Sequence, residues 1–124
     1  TALPAPTVAG LNVVFDLFEN DMAGRCELLQ KTKYLKEKLI ENGFDVLQGD
    51  SAIVPVMVYD EQLLFKIHKE LKENGVYTNI VTYPAVRRKE CRLRLCVMKN
   101  IEYSQLDDAV EIIKKVGKKY NLIK

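Results

Sequence analysis

Residues 91–97, Cys91-Arg92-Leu93-Arg94-Leu95-Cys96-Val97, alternate polar and apolar side chains. A period of two fits an extended strand with one covered face, because successive side chains point to opposite sides. Leu93, Leu95 and Val97 then share the covered side, and Arg92, Arg94 and Cys96 share the other. A proline-punctuated basic loop, Tyr83-Pro84-Ala85-Val86 followed by Arg87-Arg88-Lys89-Glu90, leads into this strand. Two guanidiniums two residues apart on a strand form a donor array suited to a carboxylate or a phosphate. The alternative is a half-exposed strand whose arginines pair with surface acids.

The other elements follow from periodicity and punctuation. Val8, Leu11, Phe15 and Phe18, joined by Val14 and Leu17, predict a helix from Thr7 with an apolar face wider than a lone helix needs. A second helix is predicted after Gly24, with Leu28, Leu35 and Leu39 inward, Lys31, Lys33, Lys36 and Lys38 mostly outward, and a stop at Asn42-Gly43. Short strands are expected over Phe44–Leu47 and Ala52–Val58. Pro55 puts the latter at an edge or makes it pair through its other side. Asp60 caps a helix carrying Leu64, Ile67 and Leu71, which Asn74-Gly75 ends. A third strand is expected over Val76–Tyr83, antiparallel to the arginine strand. Ser104 with Asp107 resembles a capping box for a last helix buried through Leu106, Ala109, Val110, Ile113 and Val116. The class is therefore α+β, a small mostly antiparallel sheet of three to four strands backed by helices.

With 124 residues, 48% of them hydrophobic, a single domain with its own core is expected. The net charge of +2 is spread among acids and does not argue for nucleic acid. An open RNA-binding sheet would need aromatics on the arginine strand, which has none. No apolar run reaches membrane-spanning length. Nothing resembles a signal peptide either, so the expected setting is cytosolic; Cys26, Cys91 and Cys96 form no CxxC pair and read as reduced thiols. His68 has no partner for a metal cluster and reads as a satisfied, partly buried side chain. No metal ligand is expected.

The stretches Ile53-Val54-Pro55-Val56, Gly75-Val76, Tyr83-Pro84-Ala85-Val86 and Arg92-Leu93-Arg94-Leu95, in this order and after Thr1-Ala2-Leu3-Pro4, resemble the C-terminal domain of the α-oxoamine synthases. That family comprises pyridoxal-phosphate enzymes of the aminotransferase-like fold, among them glycine acetyltransferase, aminooxononanoate synthase, aminolevulinate synthase and serine palmitoyltransferase. The resemblance implies that residues 1–124 are one C-terminal small domain, that 1–6 is an inter-domain linker, and that a large cofactor-binding domain lies outside this chain. It implies condensation of an amino acid with an acyl-CoA to an aminoketone, by an enzyme that works as a homodimer. Arg94 would bind the amino-acid carboxylate, with Arg92 as support, and Thr1 would reach the phosphate of pyridoxal 5'-phosphate. The attachment lysine is not in this chain, so the isolated chain is expected to be inactive. Ile101 stands where relatives commonly carry a histidine. The rival reading is a stand-alone α+β module whose arginine face and Arg87–Lys89 loop bind an anionic metabolite or an acidic partner.

Overall fold

The computed structural model describes residues 2–124. In chain order the elements are α1 (Ala5–Asn20), α2 (Met22–Glu41), β1 (Ile53–Met57), α3 (Glu61–Glu73), β2 (Asn79–Val81), β3 (Arg92–Cys96) and α4 (Tyr103–Lys119). The alternating stretch is β3, the central strand of a three-stranded sheet ordered β1-β3-β2, with both pairings antiparallel. Val54 lies across from Leu95, and Leu93 lies between Val56 and Ile80. These residues share the inner face, where Leu35 and Leu39 of α2, Leu64, Ile67 and Leu71 of α3, and Leu106, Val110, Ile113 and Val116 of α4 complete one core. Each such side chain, fully buried, contributes about 1.5–3 kcal/mol.

Pro55 sits in β1 without breaking the sheet. Its carbonyl accepts from Leu47 N at 3.1 Å. A strand residue's N–H and C=O point to the same side, so the missing donor faces away from β3. The helix ends follow local chemistry. The Asp21 and Asp60 carboxylates accept from Gly24 N at 3.0 Å and Leu63 N at 2.7 Å, the usual role of an N-cap. Gly43 and Gly75 take φ of +87° and +86° just past α2 and α3, where a side chain would be strained.

Several boundaries differ from the sequence expectation. Helix α1 starts at Ala5, inside the expected linker, because Pro6 falls in the first turn, where a missing N–H costs nothing. Phe44–Leu47 makes only a bridge, Val46 to Val56, before the turn at Gly49. β2 is three residues long because Thr82 already opens the next turn, its carbonyl accepting from Ala85 N at 3.0 Å. The cap of α4 is Glu102 and not Ser104: Gln105 Oε1 accepts from Glu102 N at 2.9 Å, a capping box set two residues earlier. Asp107 accepts instead from Tyr34 Oη at 2.7 Å. Lys31, expected outward, is buried. Its ammonium donates to Glu27 Oε1 at 2.7 Å and to the Lys99 carbonyl at 2.6 Å, which offsets the cost of desolvating it.

Glu70 of α3 accepts from Lys119 Nζ and Tyr120 Oη, each at 2.8 Å, tying α3 to the end of α4. The Lys119 ammonium, then the Tyr120 hydroxyl, hold its carboxyl below the ordinary value of 4.5. A depressed folded pKa contributes stability above the unfolded value and loses it as pH falls through the folded one. Glu70→Gln should therefore flatten the acid limb of stability from about pH 5 downward. Urea midpoints of both proteins against pH check this.

Candidate functional site

The outer face of the sheet is the side opposite the helices. β3 puts Arg92, Arg94 and Cys96 on it, β1 adds Ile53, Pro55 and Met57, and β2 adds Asn79 and Val81. Leu93, Leu95 and Val97 are buried while Arg94 and Cys96 are exposed, so the strand alternation places the guanidiniums where the sequence put them. The two arginines are not equivalent, however. Arg92 Nε donates to the Glu90 carbonyl at 2.8 Å, and its Nη2 lies 3.7 Å from the Glu90 carboxylate. Its side chain is only 18% exposed. The expected pair of open guanidiniums is thus a single one.

Arg94 has no hydrogen bond or ion pair among the described residues. Its cross-strand neighbours are Pro55 on one side and Asn79 on the other. Residues directly opposite in an antiparallel pair have Cα atoms about 4.5–5.5 Å apart. Pro55 offers no charge and no donor, so the fork of Arg94 stays free for an external anion. Asn79 is exposed beside it and brings amide donors. No sequence motif marks Asn79, because only the register of β2 against β3 brings it beside Arg94. A bidentate arginine pair with a carboxylate is the chemistry this arrangement offers.

The loop before β3 is ordered by short-range bonds. Val86 N and Ala85 N both donate to the Thr82 carbonyl, and Glu90 N donates to the Arg87 carbonyl at 2.9 Å. Arg88 lies over the Tyr83 ring, 4.8 Å from its centroid. The other polar candidates have structural roles. His68 Nδ1 sits 2.9 Å from Thr78 Oγ1, half-buried. The Cys91 thiol is buried, and burial pushes its pKa up, away from reactivity. Cys26 and Cys96 are exposed and unpaired, and no metal-binding cluster occurs among the described residues. Thr1 lies outside the described residues.

Concave surface lies elsewhere. One groove of about 480 Å³ runs between α2 and the turn at 48–51, and one of about 260 Å³ is lined by Tyr77, Cys96, Met98 and Ile101. Arg94 lines neither of them, so its face is open. Helix α1 is open as well: Leu11, Phe15, Leu17 and Phe18 are 40–65% exposed and none of its residues is buried. Scattered apolar residues on a surface are ordinary, but a whole helix face of them marks an interaction surface. No helix of the described residues is long and apolar enough to cross a membrane.

Residues 1–113 match the family model described as aminotransferase class I and II. Among curated proteins, the chain is 36% identical over 120 residues to an 8-amino-7-oxononanoate synthase of Thermosipho melanesiensis, covering 97% of this chain and 30% of that protein. Among solved structures it resembles an 8-amino-7-oxononanoate synthase from Francisella tularensis, with a TM-score of 0.82 at 24% identity over 99% of this chain and 36% of that one. It also resembles a serine palmitoyltransferase of Sphingomonas wittichii, with a TM-score of 0.77 at 21% identity over 82% and 26% of the two chains. The structural likenesses establish the fold, which is of the α+β class read from the sequence, with a small antiparallel sheet backed by helices. The chain spans about three tenths of the length of the curated relatives it matches.

Proposed function

The chain belongs to the aminotransferase class I and II family and is related to the α-oxoamine synthases; from that membership we propose that it is the C-terminal small domain of a pyridoxal-phosphate-dependent enzyme condensing an amino acid with an acyl-CoA to an aminoketone. The observation that carries the reading is Arg94, a guanidinium unpaired among the described residues and carried on the central strand between Pro55 and Asn79. Its part is to grip the amino-acid carboxylate through two parallel N–H···O bonds, with Asn79 able to donate to the same anion. Arg92 acts through Glu90, holding the turn that leads into β3.

The outer sheet face around Arg94 offers no group to hold the cofactor itself. The outer sheet face has no lysine to bond the cofactor carbonyl and no carboxylate across from Arg94. In this reading a large domain outside this chain holds the cofactor, and the chain's task is substrate recognition. The open Arg94 face and the bare apolar face of α1 support that division, since a reacting centre needs water excluded and an apolar helix face needs cover. Dimerisation of the parent enzyme and a cytosolic setting belong to the same proposal. A stand-alone anion-binding module would leave α1 without a purpose.

The test is chemical. The full-length polypeptide, supplied with pyridoxal 5'-phosphate, an amino acid and an acyl-CoA, should release free CoA and an aminoketone detectable by mass spectrometry, while the 124-residue chain alone should release neither. Transfer of an amino group between amino and keto acids with no release of CoA would overturn the reading.

A further inference from the structure

In that reading Arg94 alone among the cations grips the carboxylate, and the basic loop before it has no part in that contact. Residues 82–97 carry five cations, Arg87, Arg88, Lys89, Arg92 and Arg94, against the single acid Glu90. The rest of the chain holds more acids than bases, so the positive charge of this protein is concentrated in one segment. Glu90 is shared: its carboxylate lies 3.7 Å from Arg92 and 3.9 Å from Arg87. Arg87, Arg88 and Lys89 are exposed, and the Arg87 side chain is 90% exposed. One acid already committed to a half-buried arginine leaves these three consecutive cations largely uncompensated. The bonds from Ala85, Val86 and Glu90 back to Thr82 and Arg87 fix the turn that presents them, and Tyr83 under Arg88 offers an exposed ring beside them.

We infer that the Arg87-Arg88-Lys89 turn is the binding site for the phosphates of the acyl-CoA substrate, an inference that rests on the reading above. The chain separates Lys89 from Arg94 by five residues and Arg87 by seven, so the turn lies within about 17–23 Å of the carboxylate site. The extended pantetheine arm of coenzyme A bridges a gap of that order, from a thioester at the reacting centre to phosphates at the rim. Three adjacent cations match a phosphate cluster, whereas recognition of an acidic carrier protein would call on a surface of about 800 Å² per partner. Phosphate groups bind such donors by charge-assisted bonds and point-charge attraction.

The experiment is equilibrium titration of coenzyme A onto the full-length protein at low salt. Replacing all three cations, R87Q/R88Q/K89Q, should raise the Kd for coenzyme A about tenfold and flatten its salt dependence. The charge-preserving variant R87K/R88K should retain tight binding. A Kd within twofold of the wild type, or absence of coenzyme A binding by the wild type, overturns the inference. So does a loss confined to an acyl carrier protein, which would assign the turn to an acidic partner. An enzyme that makes aminoketone with a KM for acyl-CoA indifferent to the triple change overturns the inference and leaves the reaction standing. Coenzyme A binding that depends on the three side chains, in a protein that makes no aminoketone, overturns the reaction and leaves the phosphate site standing.

Discussion

Arg94→Ala in the full-length protein is expected to lower kcat/KM for the amino acid by a factor of about a hundred to ten thousand. Each hydrogen bond to a charged group contributes about 1.5–3 kcal/mol, and a bidentate grip loses two of them at once. The size of the effect follows from the isolation of Arg94: Arg92 is tied to Glu90 and cannot take over. Arg94→Lys keeps the charge but loses the planar fork, so it should recover only part of the activity. Steady-state kinetics against amino-acid concentration measure both. An Arg94→Ala enzyme within threefold of the wild type would remove Arg94 from the site. The variant should fold normally, because its side chain is exposed and unpaired among the described residues.

The largest expected effect on stability is at Leu39. It is fully buried in α2, within the core formed by the helices and the inner sheet face. Leu39→Ala should cost the chain about 2–5 kcal/mol, the loss of transfer energy plus an unfilled cavity. A domain of this size has roughly 5–15 kcal/mol in hand. Leu11 of α1 is the contrast: at 40% exposed, in a helix that buries nothing, Leu11→Ala should change the stability of this chain by no more than about 0.5 kcal/mol. Urea denaturation reads both variants. The same Leu11→Ala change in the full-length protein should cost more, because there we expect α1 to be covered.

The strand alternation made the sheet and its two faces legible in advance. Leu93 and Leu95 against Arg92 and Arg94 is a period-two signal that tertiary context did not override. The stripes of α3 and α4 were equally readable, since Leu64, Ile67 and Leu71, and Leu106, Val110, Ile113 and Val116, recur at three- and four-residue steps. What escaped was what depends on neighbours distant in sequence. The burial of Lys31 needs the Lys99 carbonyl, 68 residues on. The position of Asn79 beside Arg94 needs a register between strands. The commitment of Arg92 to Glu90 is local, yet it required the 3-10 turn at Arg88–Glu90 that no periodicity announces. Of the candidate site, the sequence therefore supplied the arginine and the strand face, and the structure separated the free guanidinium from the tethered one.

We propose these residues as the substrate-gripping small domain of a larger pyridoxal-phosphate enzyme. The intact mass of the native polypeptide, measured from its source, tests it most directly. A species roughly three times the 14.2 kDa of this chain is expected, since the chain covers 30% of a relative and a large domain would accompany this small one. A native polypeptide of 14.2 kDa would contradict it and leave the family resemblance as a mark of descent alone.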